Sequence, residues 1–220
     1  MEMTQCHLVI RNKRDELREE FFFNCPFDEK YLPLLRPLLF SIIYLGMFPR
    51  IALERTDSGE SRLSKITQLI RESKYSIHDL SRSEAGAAGE LYRLNMPFEL
   101  GLDFGGRLFG AGEMLNKRTL VLEAKLHRYK AAISDLSGSD IECHYDEPYK
   151  VIGVVRNWLK SVCLTRAAGA ARIEAAFTQF MAEDYDALTA EGFSSSDIAT
   201  IPIGELMERM YAWAAANSDA

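Results

Sequence analysis

Short apolar runs, separated by stretches with helical spacing, occupy the first 164 residues of the chain. Runs rich in aromatic or β-branched residues predict five strands, at residues 21–24, 50–54, 75–80, 117–123 and 140–144. The first run, Phe21 to Asn24, is apolar up to its last residue, which is typical of a parallel strand that is buried on both faces.

Between these runs, apolar residues recur three and four positions apart, which predicts helices. Residues 34–43 form the first such stretch. Because a proline kinks a helix interior, the regular helix there is expected to begin near Pro37. The composition changes beyond Leu164, where amphipathic patterns over residues 173–188 and 203–213 predict two further helices.

Strands that alternate with helices predict an α/β fold, with a parallel sheet covered by helices on both faces. We favour the flavodoxin-like strand order 2-1-3-4-5. The chain then divides into an N-terminal arm at residues 1–20, an α/β domain at residues 21–164 and a C-terminal helical extension at residues 165–220. Residues 83–90, rich in Ala, Gly and Ser, are predicted as a loop that could gate a site.

Composition and charge narrow the classes of partner. The net charge of −6 gives no electrostatic reason to expect binding to nucleic acid or to an anionic membrane. The longest apolar stretch, residues 38–48, is too short to span a membrane. The four cysteines form no C-x-x-C pair and no histidine pair has metal-ligand spacing, so we expect a cytoplasmic protein with no metal and no cofactor.

Polar residues follow the first three predicted strands, and parallel sheets bind ligands outside the carboxyl ends of their strands. The candidate substrate-binding residues at this edge are Asn24, Pro26, Asp57, Ser58, Asp79 and Ser81. The chain has no P-loop, no G-x-G-x-x-G after a strand and no G-x-S-x-G, which disfavours P-loop and Rossmann nucleotide binding and an α/β-hydrolase elbow. Asp57 and Ser58 are equally compatible with an ordinary type I turn.

A single carboxylate, Glu99, lies in the first turn of an otherwise apolar predicted helix. Pro97 suits the first helical position, and Asn95 or Met96 would then be the cap and join the candidate binding residues. Glu99 is either a carboxylate that compensates the helix dipole or a catalytic residue, and the polar loops predicted beside it favour catalysis.

His78 is the only histidine inside a predicted strand, and it is interpreted first as a core residue with its hydrogen bonds satisfied. Side chains alternate along a strand, so His78 and Asp79 are predicted to face opposite ways and not to form a dyad. The sequence assigns no role to His127 or His144.

Three segments together carry a family resemblance: Phe-Phe-Asn-Cys-Pro-Phe-Asp at residues 22–28, His-Asp-Leu-Ser at 78–81 and Asn-Met-Pro-Phe-Glu-Leu-Gly at 95–101. They resemble the bacterial TIR-like (Toll/interleukin receptor-like) nucleotide-binding proteins and the related nucleoside 2-deoxyribosyltransferases. The resemblance implies that Glu99 is the catalytic residue of N-glycosidic bond cleavage in NAD or a related nucleotide. It also implies that Asp79 lies near the sugar or base and that Asn24 lines the pocket.

The resemblance further implies an NADase-type hydrolase, as in effectors of bacterial antiviral defence. The first loop departs from the serine-rich TIR pattern, which leaves the substrate open. Two alternatives stand beside hydrolysis: a non-catalytic module for nucleotide sensing or protein assembly, and a nucleoside deoxyribosyltransferase. The expected partners are a small-molecule nucleotide and, through the C-terminal helices, a second copy of the chain or another protein.

Overall fold

The sheet is parallel throughout and confirms the predicted α/β flavodoxin-like fold. The computed structural model describes residues 20–82, 94–131 and 133–217. Its five strands are β1 (Glu20–Asn24), β2 (Phe48–Ile51), β3 (Tyr75–Asp79), β4 (Arg118–Glu123) and β5 (Glu142–Cys143). They lie in the order β2-β1-β3-β4-β5, as the alternating pattern predicts.

Helices cover both faces of this sheet. They are α1 (Leu32–Tyr44), α2 (Arg62–Glu72), α3 (Asn95–Phe109), α4 (Pro148–Val162), α5 (Ala170–Ala190), α6 (Ser195–Ala199) and α7 (Ile203–Asn217). Phe22 packs with α2 on one face of β1, while Phe21 and Phe23 belong to the larger apolar core that includes α1 and α4. Because side chains alternate along β1, Phe22 contributes to the apolar core on one face of the sheet, and Phe21 and Phe23 contribute to the core on the other face.

Two predicted boundaries are wrong for local reasons. The second strand ends at Ile51, and residues 52–54 form a turn of 3₁₀-helix. The Glu54 carboxylate accepts hydrogen bonds from Arg50 Nε at 2.6 Å and from the Ile51 N–H at 3.3 Å, which closes the turn. Helix α1 begins at Leu32 and keeps Pro37 in its interior, where Pro37 is buried together with Leu35 and Leu38.

The C-terminal helices pack on α1 of the same chain. Phe40 of α1 is fully buried, with ring centroids 5.4 Å from Phe177 and from Phe180 of α5 and 5.6 Å from Trp213 of α7. The apolar faces of α5 and α7 thus extend the core on the α1 side of the sheet.

None of the helices in the described ranges is both long and apolar enough to cross a membrane. The predicted loop at residues 83–90, and the predicted arm except for Glu20, lie outside the described residues.

Candidate functional site

Glu99 lies further into its helix than the sequence predicts. Helix α3 begins at Asn95 with Leu94 as the cap, and the Phe98 N–H donates to the Leu94 carbonyl at 3.0 Å. Pro97 is the third helical residue, where a missing N–H still costs nothing. Glu99 therefore lies beyond the unpaired N–H groups of the first turn, which weakens the interpretation of Glu99 as a dipole-compensating residue.

The Glu99 side chain is buried beside one arginine. Glu99 is 4% exposed, and its Oε1 lies 3.3 Å from a guanidinium nitrogen of Arg62, whose side chain is half exposed at the start of α2. Burial raises the pKa of Glu99 above its ordinary value, and the charge and hydrogen bond of Arg62 partly offset that rise. The result is a desolvated carboxylate with one half-exposed counter-charge, and carboxyl groups with perturbed pKa values are common at functional sites.

Asn24 ties the end of β1 to the start of α3. Its Nδ2 donates to the Met96 carbonyl at 3.1 Å and lies 3.0 Å from His78 Nδ1. The Met96 carbonyl can only accept, so it fixes the amide orientation and makes His78 Nδ1 an acceptor. Asn24 is thus a buried anchor for the helix that carries Glu99, and its Oδ1 is buried without a hydrogen-bond partner among the described residues.

A buried polar cluster continues from His78 into the middle of α3. His78 Nε2 lies 3.0 Å from Asp103 Oδ2, and Lys117 Nζ lies 2.8 Å from Asp103 Oδ1 and 2.6 Å from the Ile70 carbonyl. Ser76 also donates to Asp103. Burial would raise the pKa of Asp103, but His78 and Lys117 together hold it far below its ordinary range.

Asp79 points to the other face of β3, as the alternation along the strand predicts. It accepts hydrogen bonds from the Tyr31 hydroxyl, from His144 Nε2 at 3.1 Å and from the Ser81 N–H at 2.8 Å. Burial would raise the pKa of Asp79, yet His144, Tyr31 and Ser81 lower it below its ordinary value. The structure therefore shows no direct contact between Asp79 and Glu99.

The thiol of Cys25, in the loop after β1, is fully buried. Burial raises the pKa of Cys25, and the charges of Asp79, Glu99 and Asp28 raise it further. The thiol stays protonated, because an anionic thiolate is disfavoured there.

The remaining predicted binding residues lie in different settings. Asp57 is exposed and folds its loop, with Oδ1 accepting from the Gly59 N–H at 2.8 Å. The Glu60 N–H donates to the Asp57 carbonyl at 3.3 Å. This bond is in keeping with a turn at Asp57 and Ser58, the structural interpretation that the sequence also allows. Ser58 and Asn95 are also exposed, whereas Pro26 is buried.

The sequence does not assign a role to four residues of this region: Arg62, Asp103, Lys117 and His144. Asp103 follows Glu99 by four positions, and that spacing places both carboxylates on one helical face. The spacing was therefore a usable signal for Asp103. Nothing local marks His144 or Arg62, since their partners lie 65 and 37 positions away.

Within the described residues, no group of three or more His, Cys, Asp or Glu side chains is arranged to hold a metal ion. Comparisons with protein-family models, with curated proteins and with solved structures found no match to this chain.

Proposed function

We propose that this chain is an N-glycosidase that cleaves the bond between ribose and nicotinamide in NAD or a related nucleotide, with Glu99 as its catalytic carboxylate. The observation that carries the proposal is the setting of Glu99. It is a desolvated acid near the carboxyl edge of the sheet, where ligands of such folds bind, and its counter-charge Arg62 is half exposed.

The chemistry needs one carboxylate. As the C1′–N bond breaks, positive charge develops on the sugar, and an ionised Glu99 would stabilise that charge or orient the ribose hydroxyls. Nicotinamide leaves as a neutral group, so no general acid is required. Water then adds to C1′ to give ADP-ribose, and its proton goes to solvent. Arg62 is free to exchange its contact with Glu99 for a phosphate oxygen of the substrate, a role suited to a guanidinium.

The test is incubation of the purified protein with NAD and, separately, with a deoxynucleoside plus a free base. We expect nicotinamide and ADP-ribose from NAD, and a rate at least about 100-fold lower for Glu99→Gln. Glu174→Gln, the same exchange at an exposed position of α5, is the matched control and should retain activity. Because burial disfavours the charged form of Glu99, the neutral Gln should not lower the melting temperature at neutral pH.

The proposal fails if wild type and Glu99→Gln are equally inert on every substrate, including after self-assembly is induced. Base exchange in place of hydrolysis would identify a transferase.

A second candidate, a non-catalytic nucleotide-binding module, is favoured by one observation. Glu99 is only 4% exposed and already has a partner in Arg62, so a ligand could bind without reaching the carboxylate. Calorimetry that shows saturable nucleotide binding with no turnover, unchanged in Glu99→Gln, would support this candidate over the enzyme.

A further inference from the structure

A cavity of about 460 Å³ opens between the second halves of α2 and α3. Helix α2 contributes Ile70 and Arg71, α3 contributes Leu102, Gly105 and Phe109, and Met114 closes one side. The volume lies in the range of small-molecule pockets, roughly 300–1,000 Å³. The lining of the cavity includes neither Arg62 nor Glu99, which meet nearer the starts of the same two helices.

Two adjacent glycines of α3 shape this cavity in different ways. A Cβ added at Gly106 would lie 2.5 Å from Met114 Cε, so Gly106 permits close packing. A Cβ added at Gly105 would meet nothing within 4 Å. The missing side chain at Gly105 therefore leaves open space in the wall, where a ligand can approach the helix backbone.

The lining has one cation in mostly apolar surroundings. Phe109 is 87% exposed, an unusual position for a phenyl ring, and Leu102 adds aliphatic surface. Among the residues that the structure describes, the exposed Arg71 has no hydrogen-bond or ion-pair partner. We propose that this cavity binds a small apolar molecule with one anionic group, such as an aromatic or aliphatic carboxylate, whose anion pairs with Arg71.

Two fluorescent probes on the full chain test this assignment. Anilinonaphthalene sulfonate carries aromatic rings and one anion, and phenylnaphthylamine carries the same rings without the anion. We expect saturable binding of the sulfonate at one site per chain, and its displacement by an aliphatic carboxylate. Arg71→Gln should weaken the sulfonate about tenfold and leave the neutral probe unchanged.

Gly105→Leu should abolish binding of both probes, because the new side chain fills the cavity. Gly101→Leu is the matched control: it is a helical glycine of α3 with nothing within 4 Å of an added Cβ, and it does not line the cavity. Both variants replace a helix-interior glycine, so neither should lower the melting temperature.

The assignment is overturned if Gly105→Leu binds like Gly101→Leu, or if Arg71→Gln weakens neither probe. Arg71 is an exposed residue, so its variant remains informative even if Gly105→Leu does not fold.

Discussion

At the scale of single residues, the pH dependence of the proposed reaction depends on the burial of Glu99. In the proposed reaction the ionised carboxylate is the active form, so activity should fall as the pH drops through the pKa of Glu99. Burial raises that pKa above the ordinary value of 4.5, and the midpoint of the acid limb should lie above 4.5 as well. Rates of NAD cleavage measured across the acidic range give this midpoint.

A variant of Arg62 tests whether Glu99 sets the acid limb. Its charge lowers the pKa of Glu99, so Arg62→Gln should move the acid limb to higher pH. Arg55→Gln is the control, because Arg55 pairs with Glu60 and not with Glu99. An acid limb that stays in place, or moves to lower pH, in Arg62→Gln would show that Glu99 does not set the profile.

Sequence reasoning finds residues whose signal is local. Glu99 stands out as one acid among apolar neighbours, and the opposite facing of His78 and Asp79 follows from strand alternation. His144 could not be found in this way, because its bond to Asp79 depends on a loop 65 positions along the chain. Asn24 is recognisable in the sequence as a polar residue at a strand end, but the contact with Met96 that explains its burial is again long-range.

At the scale of elements, Asp103 links α3 to the sheet. Its carboxylate accepts hydrogen bonds from Ser76 and His78 of β3 and pairs with Lys117, which lies just before β4. Asp103→Asn should cost about 3–5 kcal/mol of unfolding free energy, because it leaves the Lys117 ammonium buried without its counter-charge. Lys117→Met should also destabilise, and the double variant should lose less than the sum of the two. Urea unfolding of the four proteins measures this coupling.

The same pair predicts an acid dependence of stability. The folded-state pKa of Asp103 is depressed, so its stabilising contribution is present above the ordinary aspartate pKa of about 3.9 and is lost as the pH falls below it. Asp103→Asn should therefore show a flatter loss of stability in acid. The role of Asp103 in holding α3 on the sheet is contradicted if the losses of unfolding free energy add in the double variant. It is also contradicted if stability falls with pH as steeply in Asp103→Asn as in the wild type.

Element order was predictable where element starts were not. Apolar runs and the handedness of crossovers leave few strand orders that bury every strand, and the favoured order 2-1-3-4-5 is the one observed. The predicted starts of α1 and α3 differ from the observed ones because proline is compatible with the start of a helix but does not fix its first residue. In both cases the residues before the proline join the helix: residues 32–36 precede Pro37 in α1, and Asn95 and Met96 precede Pro97 in α3.

At the scale of the whole molecule, the C-terminal helices share one core with the sheet. Phe40 connects α1 to α5 and α7, and the other edge of that core reaches Trp158 of α4, which packs against Phe21 and Tyr75 at 6.2 Å. The apolar patterns beyond Leu164 predict amphipathic helices whose apolar faces must be buried, but a pattern alone cannot say whether the same chain or a partner buries them. In the structure, these faces pack against α1 of the same chain.

A shared core should unfold as one unit, and the two tryptophans of the chain report on its two ends. Trp213→Phe leaves Trp158 as the reporter of the sheet, and Trp158→Phe leaves Trp213 as the reporter of α7. Phe40→Ala removes a fully buried ring and should cost about 3–5 kcal/mol, shifting the urea midpoint equally in both reporter backgrounds. Phe109→Ala, the same exchange at a ring that is 87% exposed, should change stability by less than about 0.5 kcal/mol. A Trp213 transition that moves to lower urea while the Trp158 transition stays in place would show that residues 165–220 fold as a separate domain.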